Sequence, residues 1–246
     1  MIDIKHHMVI DGKSSKDFDM YISGGGTYSS PEKSYEEVDV PGRNGVIFLY
    51  DGNYKNVDVT YNCFIAKVDG EMDVDMHFRD LRSYLMSREG YVRIEDTYHP
   101  DEIRFGTYNE AIEPEVHETL TAIQFTLTFS CKPQRFIKKF YDQGISYTSS
   151  GQVFRNDTYF NAKPLIRAYG TGTLTVNGTT VRINSANSYT DIDCDLQEAY
   201  KDTLATNCNG NITLTNAQFP YLRPGDNSIA FSGISSIIMY PRTYML

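Results

Sequence analysis

The chain has 246 residues, 40% of them hydrophobic and 22% charged, which is a globular composition that excludes global disorder and allows one large or two medium domains. No stretch approaches the ~20 apolar residues of a membrane-spanning helix, and MIDIKHHMVIDGKSSKDF has no apolar run behind a basic start, so folding in a cytoplasm is expected. The net charge of −9 is uneven: residues 1–136 carry 14 Lys+Arg against 24 Asp+Glu, net −10, residues 137–246 carry 9 against 8, net +1, and so acidic a first half argues against nucleic-acid binding.

In chain order, Pro41-Gly42 suits a type II turn, with Pro fixing φ at its second position and Gly supplying positive φ at its third. Val46 to Tyr50 reads as a strand, and the Asp51-Gly52 that follows is a two-residue hairpin signal. Its partner is Val57, Val59, Tyr61, Cys63 and Ile65, alternating with Asp58, Thr60, Asn62 and Phe64, which sets Val46 across from Val57. Asp69, Glu71, Asp73 and Asp75 lead into a helix predicted between Met72 and Arg88, where acidic side chains favour the N-terminus. Val74, Phe78, Leu81 and Leu85 form its apolar stripe and Gly90 is placed to end it. Ile123, Phe125, Leu127, Phe129 and Cys131 alternate as a strand buried on one face.

After Pro133 the alternation is lost and Lys, Gly, Ser and Thr gather, which predicts domains over 1–136 and 154–246 joined by a linker over 137–153. In the second half Asn177-Gly178 predicts a hairpin with Leu174 opposite Val181. Short strands follow near Tyr189 to Ile192, Asn211 to Leu214, Ser228 to Phe231 and Ser236 to Tyr240, a spacing that suggests a second β-sandwich.

Motifs that carry chemistry are missing. Cys63, Cys131, Cys194 and Cys208 show neither CxxC nor metal spacing, so reduced thiols are expected. His6, His7, His77, His99 and His117 belong to no HExxH or nucleophile pair, and there is no GxSxG, Walker loop or GxGxxG. Asp191, Asp193 and Asp195 begin like a calcium loop, but Leu196 and Asp202 stand where it needs Gly and Glu, so a solvent-facing strand row is expected. No catalytic residue, metal or cofactor is assigned. Carboxylate pairs for glycoside hydrolysis are a matter of three-dimensional separation and stay open here.

EVDVPGRNGVIF, SKDFDMYI, REGYVRIEDTYHPDEIRFG and FTLTFSCKP, followed by AKPLIRAYGTGTLTVNG, FPYLRPGDNSIAFSG and a late Tyr-Pro-Arg, resemble in their order the distal tail proteins of long-tailed bacteriophages and prophages. The resemblance implies a mainly β protein: an N-terminal β-sandwich with one packed helix, and a C-terminal galectin-like β-sandwich. It further implies a non-enzymatic virion component at the tail tip, a hexameric ring that binds the tail tube protein above and a baseplate or fibre protein below. In some members receptor-binding proteins attach as well, and DNA passes through the channel. Subunit contacts are then expected at Pro41, Gly42, Arg43, Asn44 and Gly45, and at Val46, Phe48, Tyr50 and Tyr54 on the following strands, with an acidic lumen that holds no phosphate.

Two alternatives belong to other classes. One is a free carbohydrate-binding module, against which stands the absence of Trp, the usual sugar-stacking platform, although 19 Tyr are present. The other is a tail-tip hydrolase.

Overall fold

The structure is a computed structural model and describes residues 6–66, 73–116 and 122–246. The chain divides into two compact units, the first comprising residues 1–135 with Leu246, the second Phe136–Met245.

The first unit is built on the two strands with the clearest alternation. Val57–Ala66 and Ala122–Cys131 pair antiparallel over their whole length, with Val57 opposite Cys131 and Ile65 opposite Ile123. Strands Lys13–Ser14, Met8–Ile10, Val92–Asp96, Glu102–Thr107, Ala122–Cys131, Val57–Ala66 and Met20–Ser23 follow one another across the sheet. The sheet curls back on itself, because Ile22 N donates to His6 O at 3.0 Å, next to the Met8–Ile10 strand near the opposite edge. Helix Val74–Met86 packs its stripe of Val74, Phe78, Leu81 and Leu85 against this core, as the spacing predicted. Phe78 meets Phe125 edge-on, with ring centroids 5.3 Å apart. Asp73 is the helix N-cap, its carboxylate accepting from Met76 N at 3.1 Å. The helix ends at Ser87, before Gly90 is reached. Asp69 and Glu71 lie outside the described residues.

One polar knot sits in this core. Asp96 accepts from Tyr61 O–H at 2.8 Å and from the backbone N–H groups of Tyr98 and His99 at 2.9 Å each, and its Oδ1 lies 3.2 Å from His99 Nδ1. His99, in the bend after Val92–Asp96, is a largely buried partner of this carboxylate.

The second unit is a two-sheet sandwich. One sheet runs Ile145–Tyr147, Ser236–Tyr240, Leu165–Tyr169, Tyr189–Asp193, Glu198–Lys201, Thr203–Asn207; the other runs Gln152–Asn156, Gly225–Ser232, Gly172–Val176, Thr179–Ile183, Ile212–Leu214. Ile166, Ala168, Leu174, Val176, Val181, Ile192, Ile229, Ile237 and Met239 fill the space between them. The Asn177-Gly178 hairpin is as predicted: both residues have positive φ, 51° and 85°, and Leu174 faces Val181.

Residues 137–153, expected as a linker, are folded. Lys138–Asp142 is a short helix, and Ile145–Tyr147 pairs with Ser236–Tyr240. Tyr147 is buried in the sandwich core, so a composition rich in Ser and Gly here belongs to short strands and their turns.

The buried thiols make one pH prediction. Burial pushes Cys131 from its ordinary 9.0 to about 12 and raises Cys63 and Cys194 further. Such a group holds its proton more tightly folded than unfolded, so stability is whole below 9.0 and falls as pH climbs toward about 12. The melting temperature should therefore drop steadily across that window. A Cys131→Val/Cys63→Val/Cys194→Val chain should lose less over the same window.

Candidate assembly surface

The segment singled out from the sequence forms an arm. Lys33–Asp39 and Val46–Tyr54 pair antiparallel as a sheet of their own, and among the described residues neither strand pairs with a third. This corrects the predicted hairpin. Val46 faces Asp39, whereas Val57 faces Cys131. Asp51-Gly52 is not the turn but part of a bulge: between the Lys33–Tyr54 and Tyr35–Tyr50 pairs the second strand carries extra residues. Gly52 takes φ +76° there, and Ser34 Oγ donates to Asp51 Oδ2 at 2.6 Å.

The turn of the arm is where Pro41-Gly42 predicted one. Arg43 N donates to Val40 O at 3.1 Å and Gly42 has φ +83°, the geometry of a type II turn. Residues 41–45 are all exposed. Of the residues named as contacts, Pro41, Gly42, Arg43, Asn44 and Gly45 thus share the tip, while Val46, Phe48, Tyr50 and Tyr54 follow along one strand.

Period-two alternation then sorts the side chains. Tyr35, Tyr50 and Phe48 occupy one face, with centroids of Tyr35 5.2 Å from Phe48 and 5.8 Å from Tyr50. Leu49, Ile47 and Val38 occupy the other. Tyr35 is 47%, Phe48 45%, Leu49 52% and Tyr50 61% exposed. An isolated two-stranded ribbon is marginal in water, and one with apolar residues on both faces gains stability only from a surface that covers it. Glu36 and Glu37 stand together between Tyr35 and Val38, which puts an acid on each face and hides the period-two pattern of the Lys33–Asp39 strand.

Elsewhere the suspected chemistry resolves into ion pairs. Asp191 and Asp193 are buried, 1% and 2% exposed, not the solvent-facing row expected. Arg167 reaches both oxygens of Asp191, at 2.7 and 2.9 Å, Arg242 reaches both of Asp193, at 2.9 and 3.0 Å, and Lys163 lies 3.1 Å from Asp195. Each carboxylate has its own cation, and no group of His, Cys, Asp and Glu suited to a metal occurs among the described residues. His77 pairs with Asp19 at 3.2 Å; His117 lies outside the described residues. No helix among the described residues is long and apolar enough to cross a membrane.

A family model for the phage tail protein RIFT-related domain matches residues 10–131, the whole span from the first strand to the end of Ala122–Cys131. The first unit is a phage tail RIFT-related domain. The entire chain shares its fold with the Dit protein (gp 19.1) of SPP1, a paradigm of the hub adsorption apparatus in phages infecting Gram-positive bacteria: TM-score 0.73 at 15% identity, covering 98% of this chain and 99% of that one. A chain of the phage P2 baseplate in its activated conformation with Ca is similar at TM-score 0.55 and 10% identity, over 97% and 98% of the two chains. The same baseplate with Sr gives 0.54 and 10%, over 95% and 97%. No curated protein sequence matches. The RIFT-related match and the fold shared along the full length bear out the resemblance to distal tail proteins read from the ordered motifs.

Proposed function

We propose that this phage tail protein is the hub of a tail tip: its RIFT-related unit closes a hexameric ring, and the second sandwich is a platform for further tail-tip proteins. The observation that carries the reading is the arm, whose Tyr35, Phe48, Leu49 and Tyr50 stay exposed on a ribbon that no other strand among the described residues supports. A neighbouring copy supplies the missing cover, and repetition of one heterologous contact closes a ring. The role is structural and not enzymatic. Its partners are the tail tube protein on one side, a baseplate or fibre protein on the other, and receptor-binding proteins at the sandwich, with the assembled ring at the virion tail tip.

Charge supports the same reading. Six copies bring together six times the net −10 of residues 1–136, and such repulsion is tolerated where the charge faces water. Part of it lines the lumen in this arrangement, where it keeps DNA phosphates from adhering as the strand leaves. The test is the mass of the purified protein. A ring of six 28.0-kDa chains weighs about 168 kDa, and negative-stain images should show a central hole. A monodisperse monomer at every concentration, or a ring with a basic lumen, removes the proposal.

A further inference from the structure

An Asn-Gly step is a place where a chain can attack itself. With no Cβ to shield it, the glycine nitrogen adds to the asparagine amide carbon, and the five-membered ring that forms excludes the side-chain nitrogen as ammonia. Three such steps occur here, Asn44-Gly45, Asn177-Gly178 and Asn209-Gly210. Closure requires the side-chain carbon to swing onto the backbone, so every hydrogen bond the amide makes opposes it.

Two of the three are held. Asn177 donates from Nδ2 to Asn227 Oδ1 at 2.6 Å and to Tyr221 O at 3.3 Å, and its Oδ1 accepts from Ser228 N at 3.1 Å. Asn209 accepts from Ala199 N at 2.6 Å and donates to Glu198 Oε2 at 2.5 Å. Both side chains are part of what joins neighbouring strands. Asn44 differs in its side chain. It is exposed at the tip of the arm. No hydrogen bond or ion pair engages its side chain among the described residues; the space beside the glycine is open at all three steps, so the side chain alone sets Asn44 apart.

We infer that Asn44 is a self-modification site of this protein, converting through a succinimide to aspartate and isoaspartate while Asn177 and Asn209 remain amides. In the first step the bond from Gly45 N to Asn44 Cγ forms as Cγ–Nδ2 breaks, and the proton on Gly45 N leaves with the ammonia. In the second, water cleaves one of the two imide C–N bonds. Cleavage on the side-chain carbonyl leaves aspartate; cleavage on the backbone carbonyl leaves isoaspartate, with one more carbon in the main chain. No oxidant or reductant takes part.

The modification requires nothing of the ring, but its consequence rests on the proposed role of the arm. Arg43 is the only charged residue among 40–45. A carboxylate at position 44 neutralises it, and isoaspartate lengthens the loop between the paired Asp39 and Val46. Chains that wait unassembled therefore lose competence with time, and a neighbour seated on the tip protects it.

The folded protein, diluted to its unassembled state and held at mildly alkaline pH, would be sampled by peptide mapping with mass spectrometry that separates aspartate from isoaspartate. The same chain unfolded in guanidinium supplies the reference in which all three steps react. Asn44 should convert about tenfold or more faster than Asn177 and Asn209 when folded, the factor that one or two side-chain hydrogen bonds impose; comparable rates at all three in the folded chain overturn the site. Asn44→Gln should abolish the mass gain at the tip, and Asn44→Asp should form less ring than Asn44→Gln. Equal assembly by those two variants, with Asn44 still converting in the wild type, overturns the arm's part in assembly and leaves the chemistry standing.

Discussion

Phe48→Glu combined with Tyr50→Glu is expected to give a fully folded chain that no longer closes a ring. Both side chains are already about half exposed, at 45% and 61%. Their ring contacts are one another, Tyr35 and the Lys33 ammonium, 5.7 Å from the Tyr50 ring centroid. Neither belongs to either hydrophobic core. Surface substitutions of that kind change stability by about 0.5 kcal/mol or less, so the melting temperature should not move. In the ring we propose, the same positions are covered aromatic anchors, each worth about 2 kcal/mol or more when removed. Two unpaired carboxylates buried there add a further penalty. Glu36, Glu37 and Asp39 stand beside them on the opposite strand, so the new charges also repel their own arm. Solution mass should fall to that of the 28.0-kDa monomer. Retention of a full ring by this variant would mean that the arm lies outside the subunit contact.

What the sequence made legible was whatever short-range chemistry decides. The alternation of Ile123 to Cys131, the helix stripe of Val74, Phe78, Leu81 and Leu85, and the Asn177-Gly178 turn all appear as read, because strand period, helix period and positive φ are local properties. The arm shows where locality fails. Asp51-Gly52 has the residues of a two-residue turn, yet a bulge asks for the same glycine at positive φ. Which of the two forms depends on the partner, and here Lys33–Asp39 takes the Val46–Tyr54 strand while Ala122–Cys131 and Met20–Ser23 flank Val57–Ala66. The turn that does form the arm, at Pro41-Gly42, was visible. Its partner strand was not, since Glu36 and Glu37 lie together between Tyr35 and Val38 and break the period of two.

The aspartate row failed for the same reason in another guise. Thr190 and Ile192 are buried on one face of Tyr189–Asp193 and Asp191 and Asp193 on the other, each under a guanidinium. Those arginines are 24 and 49 residues away in sequence, and alternating acids without them in view look solvated. The late Tyr-Pro-Arg motif acquires its meaning here, because Arg242 is its arginine and Asp193 its target.

Replacing that arginine should cost the second unit a large part of its stability. The Asp193 side chain is 3% exposed and that of Arg242 16%, with Nη1 of Arg242 at 2.9 and 3.0 Å from the two carboxylate oxygens. Arg242→Met keeps most of the packing volume but leaves a buried carboxylate without its cation, a change that costs about 3–5 kcal/mol. The lower end of that range is favoured, because Asp193 Oδ1 still accepts from the backbone N–H groups of Asp195 and Leu196, at 3.0 and 3.1 Å. Tyr200 O–H, 3.4 Å from Oδ2, offers only a weak substitute. The charge, not the lost contact, is the cause, and a double-mutant cycle separates the two. Asp193→Asn leaves Arg242 able to reach water and should cost about 1–2 kcal/mol. Adding it to Arg242→Met removes the stranded charge, so the double variant should be more stable than Arg242→Met alone, by about 1–2 kcal/mol. Chemical denaturation followed by far-ultraviolet circular dichroism measures all three. If the double variant falls to the sum of the two single losses, the pair is packing alone, and the burial of Asp193 is sustained by its backbone donors without need of the arginine.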